Sequence, residues 1–253
     1  MANVLVTGGS RGIGGAISRV LAARGDVIAV HFGSDSSAAE QIMGQLEGAG
    51  HMLVRGDLRD PQAAADIVGH AVTGLGSIDV LVNNAAIAPS DSTAHRIDAV
   101  DYASWQRVWN EMLAVNLLGA ANLSYLVTRH LIDRGAPGSI VNIGTRGAFR
   151  GELDFPAYGA GKAGLHALGQ SLALALARHG ISVTSIAPGF ISSERQSSKL
   201  SGDAGDALRS QSPFGRVGTP AEVAQAVAYL TSPEAVWASG AILDFNGASH
   251  LRT

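Results

Sequence analysis

The chain has 253 residues, of which 46% are hydrophobic and 15% charged, and its formal net charge is −3. This length and apolar content support one large folded domain, and the small negative charge argues against binding to nucleic acid or to a membrane. The absence of cysteine excludes disulfides and thiolate metal sites, and the eight histidines form no His-x-x-x-His pair, so we predict no metal site.

Short apolar segments alternate with segments of helical period along the whole chain. The predicted strands cover residues 4–6, 27–32, 52–55, 78–82, 139–143, 181–186 and 241–245. The predicted helices cover residues 16–22, 38–46, 61–72, 105–131, 156–179 and 220–230. Such alternation predicts a single-domain α/β fold over residues 1–253, with about seven strands in a doubly wound parallel sheet and helices on both faces.

A glycine-rich turn, TGGSRGIG, follows the first predicted strand and precedes the first predicted helix. In this context Gly8, Gly12 and Gly14 would let the backbone approach a pyrophosphate and would aim the helix N-terminus at its charge. An ordinary turn also uses glycines, but a glycine turn in the first βα unit of an alternating chain predicts a nucleotide site.

The opening sequence MANVLVTGG lacks the basic and apolar regions of a signal peptide, and no run of about 18 apolar residues could span a bilayer. We therefore expect a cytoplasmic protein without a membrane partner.

Tyr158 and Lys162 are four residues apart in the predicted helix 156–179, which places both side chains on one face. An ammonium close to a phenol stabilises the phenolate and lowers the pKa of the phenol, so such a pair can transfer protons. Tyr and Lys also occur at this spacing by chance, and the rest of the chain must therefore support a catalytic role.

Several motifs together resemble those of the short-chain dehydrogenase/reductase family over nearly the whole length. They are TGGSRGIG at residues 7–14, Asp57 after the third strand, NNAA at 83–86, Asn116 within AVN, YGAGK at 158–162, and Pro188-Gly189. The resemblance, which includes 3-oxoacyl carrier-protein reductases, implies a Rossmann-type fold. It also implies NAD(P)(H)-dependent hydride transfer to or from a carbonyl or secondary alcohol carbon.

The resemblance assigns catalytic roles to Asn116, Thr145, Tyr158 and Lys162. Tyr158 would be the general acid/base, Lys162 would hold the nicotinamide ribose and keep the pKa of Tyr158 low, and Asn116 would position a water. The residues implied to bind the cofactor are Gly8, Ser10, Arg11, Gly12, Ile13, Gly14, His31, Ser34, Asp57, Leu58, Asn83, Ala85, Tyr158, Lys162, Pro188, Gly189, Ile191 and Ser193.

Among the cofactor residues, Asp57 and Asn83 would lie near the adenine and its ribose, and Ile191 and Ser193 would meet the nicotinamide amide.

Two departures from the family pattern affect the substrate pocket. Thr145 stands where the family usually has serine; its hydroxyl can act in the same way, but its methyl group is expected to narrow the pocket. The spacing from Asn83 to Asn116 is longer than in compact members, so we expect residues 89–105 to form a rim near the site.

The end of the second predicted strand favours NADP(H) over NAD(H). His31 occupies the position where an NAD-preferring site would place a carboxylate, and Arg11 and Ser34 could meet a 2′-phosphate. Asp35 argues the other way, because its carboxylate could repel that phosphate.

The sequence leaves the substrate open between a small ketone or secondary alcohol and a 3-oxoacyl thioester. Arg146 and Arg150 could steer an anionic substrate, but we favour solvated or interface positions for them. Residues 190–218, rich in Ser, Gly and charge, are predicted to form a substrate loop.

A nucleotide-binding sensor or scaffold without turnover is the alternative function. Such a protein would be expected to have lost Tyr158 or Lys162, and this chain retains both. By resemblance, the predicted helices 105–131 and 156–179 would pack across a two-fold axis in a homodimer or homotetramer.

Overall fold

The computed structural model describes residues 1–192 and 201–252, in which seven parallel strands form one sheet. The strands are β1 (Asn3–Val6), β2 (Val27–Phe32), β3 (Met52–Arg55), β4 (Val80–Asn83), β5 (Gly138–Ile143), β6 (Ile181–Pro188) and β7 (Ile242–Phe245). Their order is β3-β2-β1-β4-β5-β6-β7, so the direction of sheet growth reverses between β1 and β4. The predicted doubly wound α/β fold is confirmed, and a crevice is expected at the carboxyl ends of the strands near this reversal.

Helices cover both faces of the sheet. Those of the described residues are α1 (Gly12–Ala23), α2 (Ser36–Met43), α3 (Pro61–Leu75), α4 (Tyr102–Leu113), α5 (Ala120–Asp133), α6 (Gly147–Arg150), α7 (Pro156–Leu176), α8 (Gly202–Arg209) and α9 (Pro220–Leu230). One core cluster joins the sheet to α1, α2 and α9, and a second joins it to α3, α5 and α7. Within the described part of the chain, no helix is both long and apolar enough to cross a membrane.

The strands are apolar on both sides because both faces of the sheet are covered. In β1, Val4 and Val6 belong to the first cluster and Leu5 to the second, and all three are fully buried. This burial explains the continuous apolar runs, which are typical of strands in parallel sheets.

The helix predicted at residues 105–131 is interrupted in the structure. A π-helical segment, Ala114–Gly119, lies between α4 and α5. Contacts to other elements account for it: the Asn116 side chain binds the backbone of Ile87, and Gly119 lies so close to Leu58 that a Cβ would be 2.8 Å from the Leu58 carbonyl oxygen. Such single π turns often occur at functional sites.

The segment before α4 contains a buried centre in addition to an exposed surface. His95 is fully buried, and its ring lies edge-on to Trp105 and Trp109 at centroid distances of 5.6 and 6.5 Å. The predicted rim therefore has a small core of its own.

The two ends of the predicted substrate loop are held together. Ile191 and Gly218 form an isolated parallel bridge, and the Ser192 amide donates to the Gly218 carbonyl oxygen at 2.8 Å. The loop contains α8, which the sequence pattern did not predict. Residues 193–200 of the loop lie outside the described part of the chain.

Candidate active site

The glycine-rich turn after β1 has the shape of a phosphate-binding turn. Gly8 and Gly12 have φ angles of +59° and +53°, a region that favours glycine. A Cβ on Gly14 would lie 2.1 Å from the Gly8 carbonyl oxygen, so a larger residue would not fit there. Arg11 is the N-cap of α1 but makes no capping hydrogen bond with its side chain, which leaves first-turn N–H groups for a ligand. These features fit the pyrophosphate of a dinucleotide.

Thr7 and Asn84 fix this turn to the end of β4. The Thr7 hydroxyl accepts hydrogen bonds from the backbone amides of Asn84 and Ala85, both at 2.9 Å, and the Asn84 side chain donates to the Thr7 carbonyl oxygen at 2.8 Å. The predicted cofactor residue Ala85 thus lies beside Gly8. The side-chain roles of Thr7 and Asn84 were missed, although a hydroxyl and an amide at the ends of adjacent strands were the available signal.

His31 lies in the interior with its ring buried, and its predicted contact with the cofactor stays a prediction. It is 2% exposed; its Nδ1 accepts from the Gly8 amide at 3.2 Å, and its Nε2 lies 3.1 Å from the Gly56 carbonyl oxygen. Burial lowers the pKa of His31, which keeps the ring neutral. Because β2 continues to Phe32, His31 still lies within the sheet. Its ring supports the glycine turn through the hydrogen bond from the Gly8 amide.

Arg11 is paired with the carboxylate that the sequence placed nearby. Its Nη1 lies 2.5 Å from an oxygen of Asp35, whose other oxygen accepts from the Ala38 amide at 3.0 Å and so caps α2. Ser10 is partly exposed and Ser34 exposed in this corner of the crevice. A cation, a carboxylate and two hydroxyls therefore lie near the end of β2.

The residues predicted for the adenine end separate into an exposed and a buried group. Asp57 is exposed, and Arg59 holds the pKa of its carboxyl below the usual value through hydrogen bonds as short as 2.5 Å. Leu58 and Asn83 are buried.

The Asn83 side chain donates to Ser124 and to Asn142, both at 3.0 Å, inside the sheet and helix interface. Asn83 is the last residue of β4 and its side chain faces the interior, and its predicted place near the adenine and ribose stays a prediction.

Thr145, Tyr158 and Lys162 are brought together at the end of β5. Thr145 follows this strand by two residues, and its hydroxyl accepts from the Gly147 amide at 3.1 Å. Lys162 is 2% exposed, and its Nζ donates to the Ile143 carbonyl oxygen at 2.7 Å. Helix α7 presents Tyr158 and Lys162 on one side, as the spacing predicted.

The pKa of Tyr158 differs in direction from the sequence-based expectation. Burial and the nearby Glu152 carboxylate raise the pKa of Tyr158 to about 12, while the Thr145 hydroxyl opposes this rise. Burial also lowers the pKa of Lys162 to about 8, and its amino group is directed to the strand backbone. The phenol is therefore neutral near pH 7 in this structure.

Asn116 lies inside the π-helical segment and is 1% exposed. Its Oδ1 accepts from the Ile87 amide at 2.8 Å, and its Nδ2 donates to the Ile87 carbonyl oxygen at 3.1 Å. It also packs near Gly161 of α7, where an added Cβ would lie 3.7 Å from the Asn116 Cβ. The structure thus places Asn116 between the loop after β4 and helix α7.

His95 is hydrogen-bonded to the start of α7, a contact that was not predicted from the sequence. Its Nε2 accepts from the Ala157 amide at 2.9 Å, and its Nδ1 donates to the Thr93 carbonyl oxygen at 2.7 Å. Since Ala157 precedes Tyr158, this buried imidazole positions the first turn of α7. The two tryptophans that surround it were the available signal.

The predicted residues after β6 adjoin the catalytic strand end. The Pro188 carbonyl oxygen accepts from the Arg146 amide at 3.0 Å, and Gly189 is so close to Asn246 that a Cβ would meet it at 3.0 Å. Ile191 is buried, and Ser193 lies outside the described residues. In the described ranges 1–192 and 201–252, no group of three or more His, Asp or Glu residues could hold a metal ion.

Comparison with known proteins gives matches over nearly the whole chain. A family model described as Enoyl-(Acyl carrier protein) reductase matches residues 8–250. Cis-4-hydroxycyclohexanecarboxylate dehydrogenase of Sinomonas cyclohexanicum is 35% identical over 96% of this chain and 94% of its own length. The 3-oxoacyl-(acyl-carrier-protein) reductase of Escherichia coli strain K12 is 34% identical, with 98% and 96% covered.

Among solved structures, a short chain dehydrogenase from Bacillus anthracis superposes with a TM-score of 0.86 at 26% identity and covers 99% of this chain and 97% of its own. These similarities include both the nucleotide turn and the catalytic helix. The chain is therefore an oxidoreductase of the short-chain dehydrogenase/reductase family, whose members use NAD(P)(H).

Proposed function

We propose that the protein transfers a hydride between NADP(H) and a carbonyl or secondary alcohol carbon, with Tyr158 as the general acid/base. The observation that carries the proposal is the convergence of Thr145, Tyr158 and Lys162 at the end of β5. The bound cofactor would supply or accept the hydride. A phenol whose pKa lies at about 12 stays protonated at neutral pH, which suits proton donation to a carbonyl oxygen and favours reduction.

The neighbouring side chains prepare this proton transfer. The Thr145 hydroxyl accepts from the Gly147 amide and interacts with the Tyr158 phenol, so both hydroxyls would meet the substrate oxygen. Lys162, buried one helical turn beyond Tyr158, would bind the nicotinamide ribose with the two donors that Ile143 does not use. Asn116 would hold the proton-relay water after a small shift of its bonds to Ile87.

The cofactor would lie along the carboxyl ends of the strands. The turn of Gly8, Gly12 and Gly14 would bind the pyrophosphate, with the side chains or backbones of Ser10, Ile13 and Ala85 nearby. Asp57 and Leu58 would border the adenine. The backbone from Pro188 to Ile191 would meet the nicotinamide amide, together with Ser193.

The preference for NADP(H) rests on the cations near the end of β2. Arg11 and Arg55 are both exposed, and Arg55 donates to the Gly33 carbonyl oxygen at 3.2 Å. A 2′-phosphate could compete with Asp35 for Arg11. We expect a KM for NADPH roughly tenfold or more below that for NADH, since one charge-assisted contact is worth about that factor. Equal KM values would contradict the preference.

For the substrate, a small ketone or secondary alcohol and a 3-oxoacyl thioester both have support among the similar proteins. One relative is named for a hydroxycyclohexanecarboxylate and another for a 3-oxoacyl carrier protein. We favour a free small molecule, enclosed by the 190–218 loop, whose ends are fixed by the bridge between Ile191 and Gly218.

We further propose a homodimer or homotetramer. Leu118 and Tyr125, seven residues apart along the π segment and α5, and Leu174 of α7 are 56%, 66% and 87% exposed. Large apolar side chains on two adjacent helices suit a two-fold helix interface.

A panel of ketones and secondary alcohols, followed by NADPH absorbance in both directions, tests the proposed function. Turnover of at least one ketone or secondary alcohol supports the proposed function. Tight NADPH binding without turnover of any panel member would instead support the sensor or scaffold alternative.

A further inference from the structure

Arg146, which follows the catalytic Thr145, is buried at the wall of a cavity of about 290 Å³. It is 6% exposed, so the solvated position favoured from the sequence is wrong. The cavity lies between the ends of β6 and β7 and the chain that follows α8. Its walls include Gly189, Ile191, Leu208 and Phe214.

The guanidinium of Arg146 is hydrogen-bonded to neutral acceptors. Its Nη1 donates to the Ser249 hydroxyl, and its Nη2 donates to the side-chain oxygen of Gln211. Among the residues that the structure describes, no carboxylate forms an ion pair with it. A guanidinium removed from water without an anionic partner is unfavourable, and an incoming anion would relieve this cost.

The carboxylates that line the same cavity are already paired. Glu222 binds Arg216 at 2.6 Å, and Asp244 binds Arg252 at 2.7 Å. Neither carboxylate therefore forms an ion pair with Arg146, and the half-buried Glu152 acts on its charge without an ion pair. The apolar walls of the cavity can pack against a hydrocarbon frame, as in most small-ligand sites.

The cavity adjoins the proposed reaction centre. The Arg146 backbone links Thr145 to Pro188 through a 3.0 Å hydrogen bond, and Gly189 and Ile191 belong both to the cavity wall and to the proposed nicotinamide site. An anion held by Arg146 would thus belong to the molecule whose carbonyl or alcohol carbon lies beside Thr145.

We infer that Arg146 is a specificity-determining residue that binds the carboxylate of the substrate, and that the substrate is a ketone or secondary alcohol bearing that carboxylate on an apolar frame. The planar fork of a guanidinium matches a carboxylate with two parallel hydrogen bonds, and the carboxylate would replace Gln211 or Ser249 as acceptor. This inference rests on the proposed function for the identity of the reacting carbon.

Binding without turnover gives the first test. Isothermal titration of the full-length protein with cyclohexanecarboxylate is compared with titration of the neutral cyclohexanecarboxamide. We expect the carboxylate to bind wild type roughly 10- to 100-fold more tightly than the amide, and Arg146→Gln to remove this difference. Arg150→Gln, which removes an exposed arginine four residues away, is the charge-matched control and should keep it.

Equal binding of the two probes to wild type, or an unchanged preference in Arg146→Gln, would overturn the inference. Thermal unfolding verifies that the variants are folded. If Arg146→Gln does not fold, Arg146→Lys replaces it: the lysine keeps the charge but loses the fork, so the preference should fall below that of wild type, and an undiminished preference overturns the inference.

Turnover gives the second test and separates the two proposals. With NADPH, wild type should reduce 4-oxocyclohexanecarboxylate with a kcat/KM roughly 10- to 100-fold above that for cyclohexanone, mainly through KM, and Arg146→Gln should narrow this ratio. Carboxylate binding that depends on Arg146, without any turnover, would refute the proposed function and leave the anion site standing. Turnover with no advantage for the carboxylate would refute the anion site alone.

Discussion

Burial is the main cause that raises the pKa of Tyr158, and a carboxylate outside the Tyr/Lys motif adds to the rise. Glu152 is half-buried and lies against Gly147, where an added Cβ would be 1.9 Å from its Oε1. Burial raises the pKa of Glu152, and its negative charge in turn raises the pKa of Tyr158. A general base for alcohol oxidation needs the phenolate, so this charge disfavours oxidation at neutral pH.

Replacement of Glu152 by Gln should therefore shift the pH dependence of oxidation. Removal of the negative charge lowers the pKa of Tyr158, and the rise of kcat/KM for alcohol oxidation with pH should begin at a lower pH than in wild type. The measurement is a pH profile of alcohol oxidation, with the exposed Asp154→Asn as control. A profile that stays in place, or moves to higher pH, contradicts this role of Glu152.

The placement of the proposed catalytic residues was predictable because their motif fixes both spacing and order. Tyr158 and Lys162 lie on one face of a helix because they are four residues apart. Thr145 follows a strand that could be predicted from the apolar pattern of residues 139–143. The burial of the His31 and Asn83 side chains was not predictable, because one more residue in a strand decides whether a side chain faces the crevice or the interior. Arg146 was misplaced because its burial depends on Ser249 and Gln211, far away in sequence.

At the level of elements, the contact between the glycine turn and α1 can be tested by two adjacent glycines. A Cβ on Gly14 would collide with the Gly8 carbonyl oxygen, whereas the nearest atoms to a Cβ on Gly15 lie 3.4 Å away. Gly14→Ala should therefore weaken NADPH binding and stability, while Gly15→Ala should stabilise α1 by up to about 1 kcal/mol. Calorimetric Kd values for NADPH and thermal unfolding check these two expectations. Equal losses of NADPH affinity and stability in Gly14→Ala and Gly15→Ala would contradict this turn geometry.

Helix α7 also contains a buried imidazole with an unusual environment. His166 is 2% exposed and stacks on Phe149 at a centroid distance of 5.2 Å. Burial lowers the pKa of His166 to about 4 from an ordinary value of 6.5. The folded protein therefore binds this proton less readily than the unfolded chain.

His166 should make stability depend on pH between 6.5 and about 4. The contribution of His166 to the free energy of unfolding is fully present above pH 6.5. It falls by up to about 3 kcal/mol as the pH is lowered toward 4. His166→Leu should flatten the dependence of the free energy of unfolding on pH in this range. The buried His31 also has a lowered pKa, but its contribution is the same in wild type and variant, so the difference between them reports on His166. Urea unfolding at several pH values gives the comparison, and parallel curves for wild type and variant would contradict it.

The alternation of strands and helices was predictable from periodicity, because buried parallel strands and amphipathic helices have different apolar patterns. The π-helical segment Ala114–Gly119 was not, since it depends on contacts with Ile87 and Leu58. Helix α8 was not predicted either, because its sequence is rich in Gly and Asp and resembles a loop.

At the level of the whole molecule, the exposed apolar residues of α5 and α7 should be covered in an oligomer. Light scattering should give a dimer or tetramer for wild type, and a Tyr125→Glu, Leu174→Glu double variant should give a smaller species, because two buried charges would oppose association. Ile97→Glu, at a similarly exposed residue outside these helices, is the control. A monomeric wild type would contradict the interface.

The central claim is that Tyr158 moves the proton in a hydride transfer. It is tested most directly by the NADPH absorbance of wild type and Tyr158→Phe with 4-oxocyclohexanecarboxylate or the best ketone of the panel, together with a calorimetric Kd for NADPH. We predict that the variant binds NADPH with little change and that kcat falls by roughly 10² to 10⁴-fold. A Tyr158→Phe protein that reduces the ketone at the wild-type rate would contradict the account.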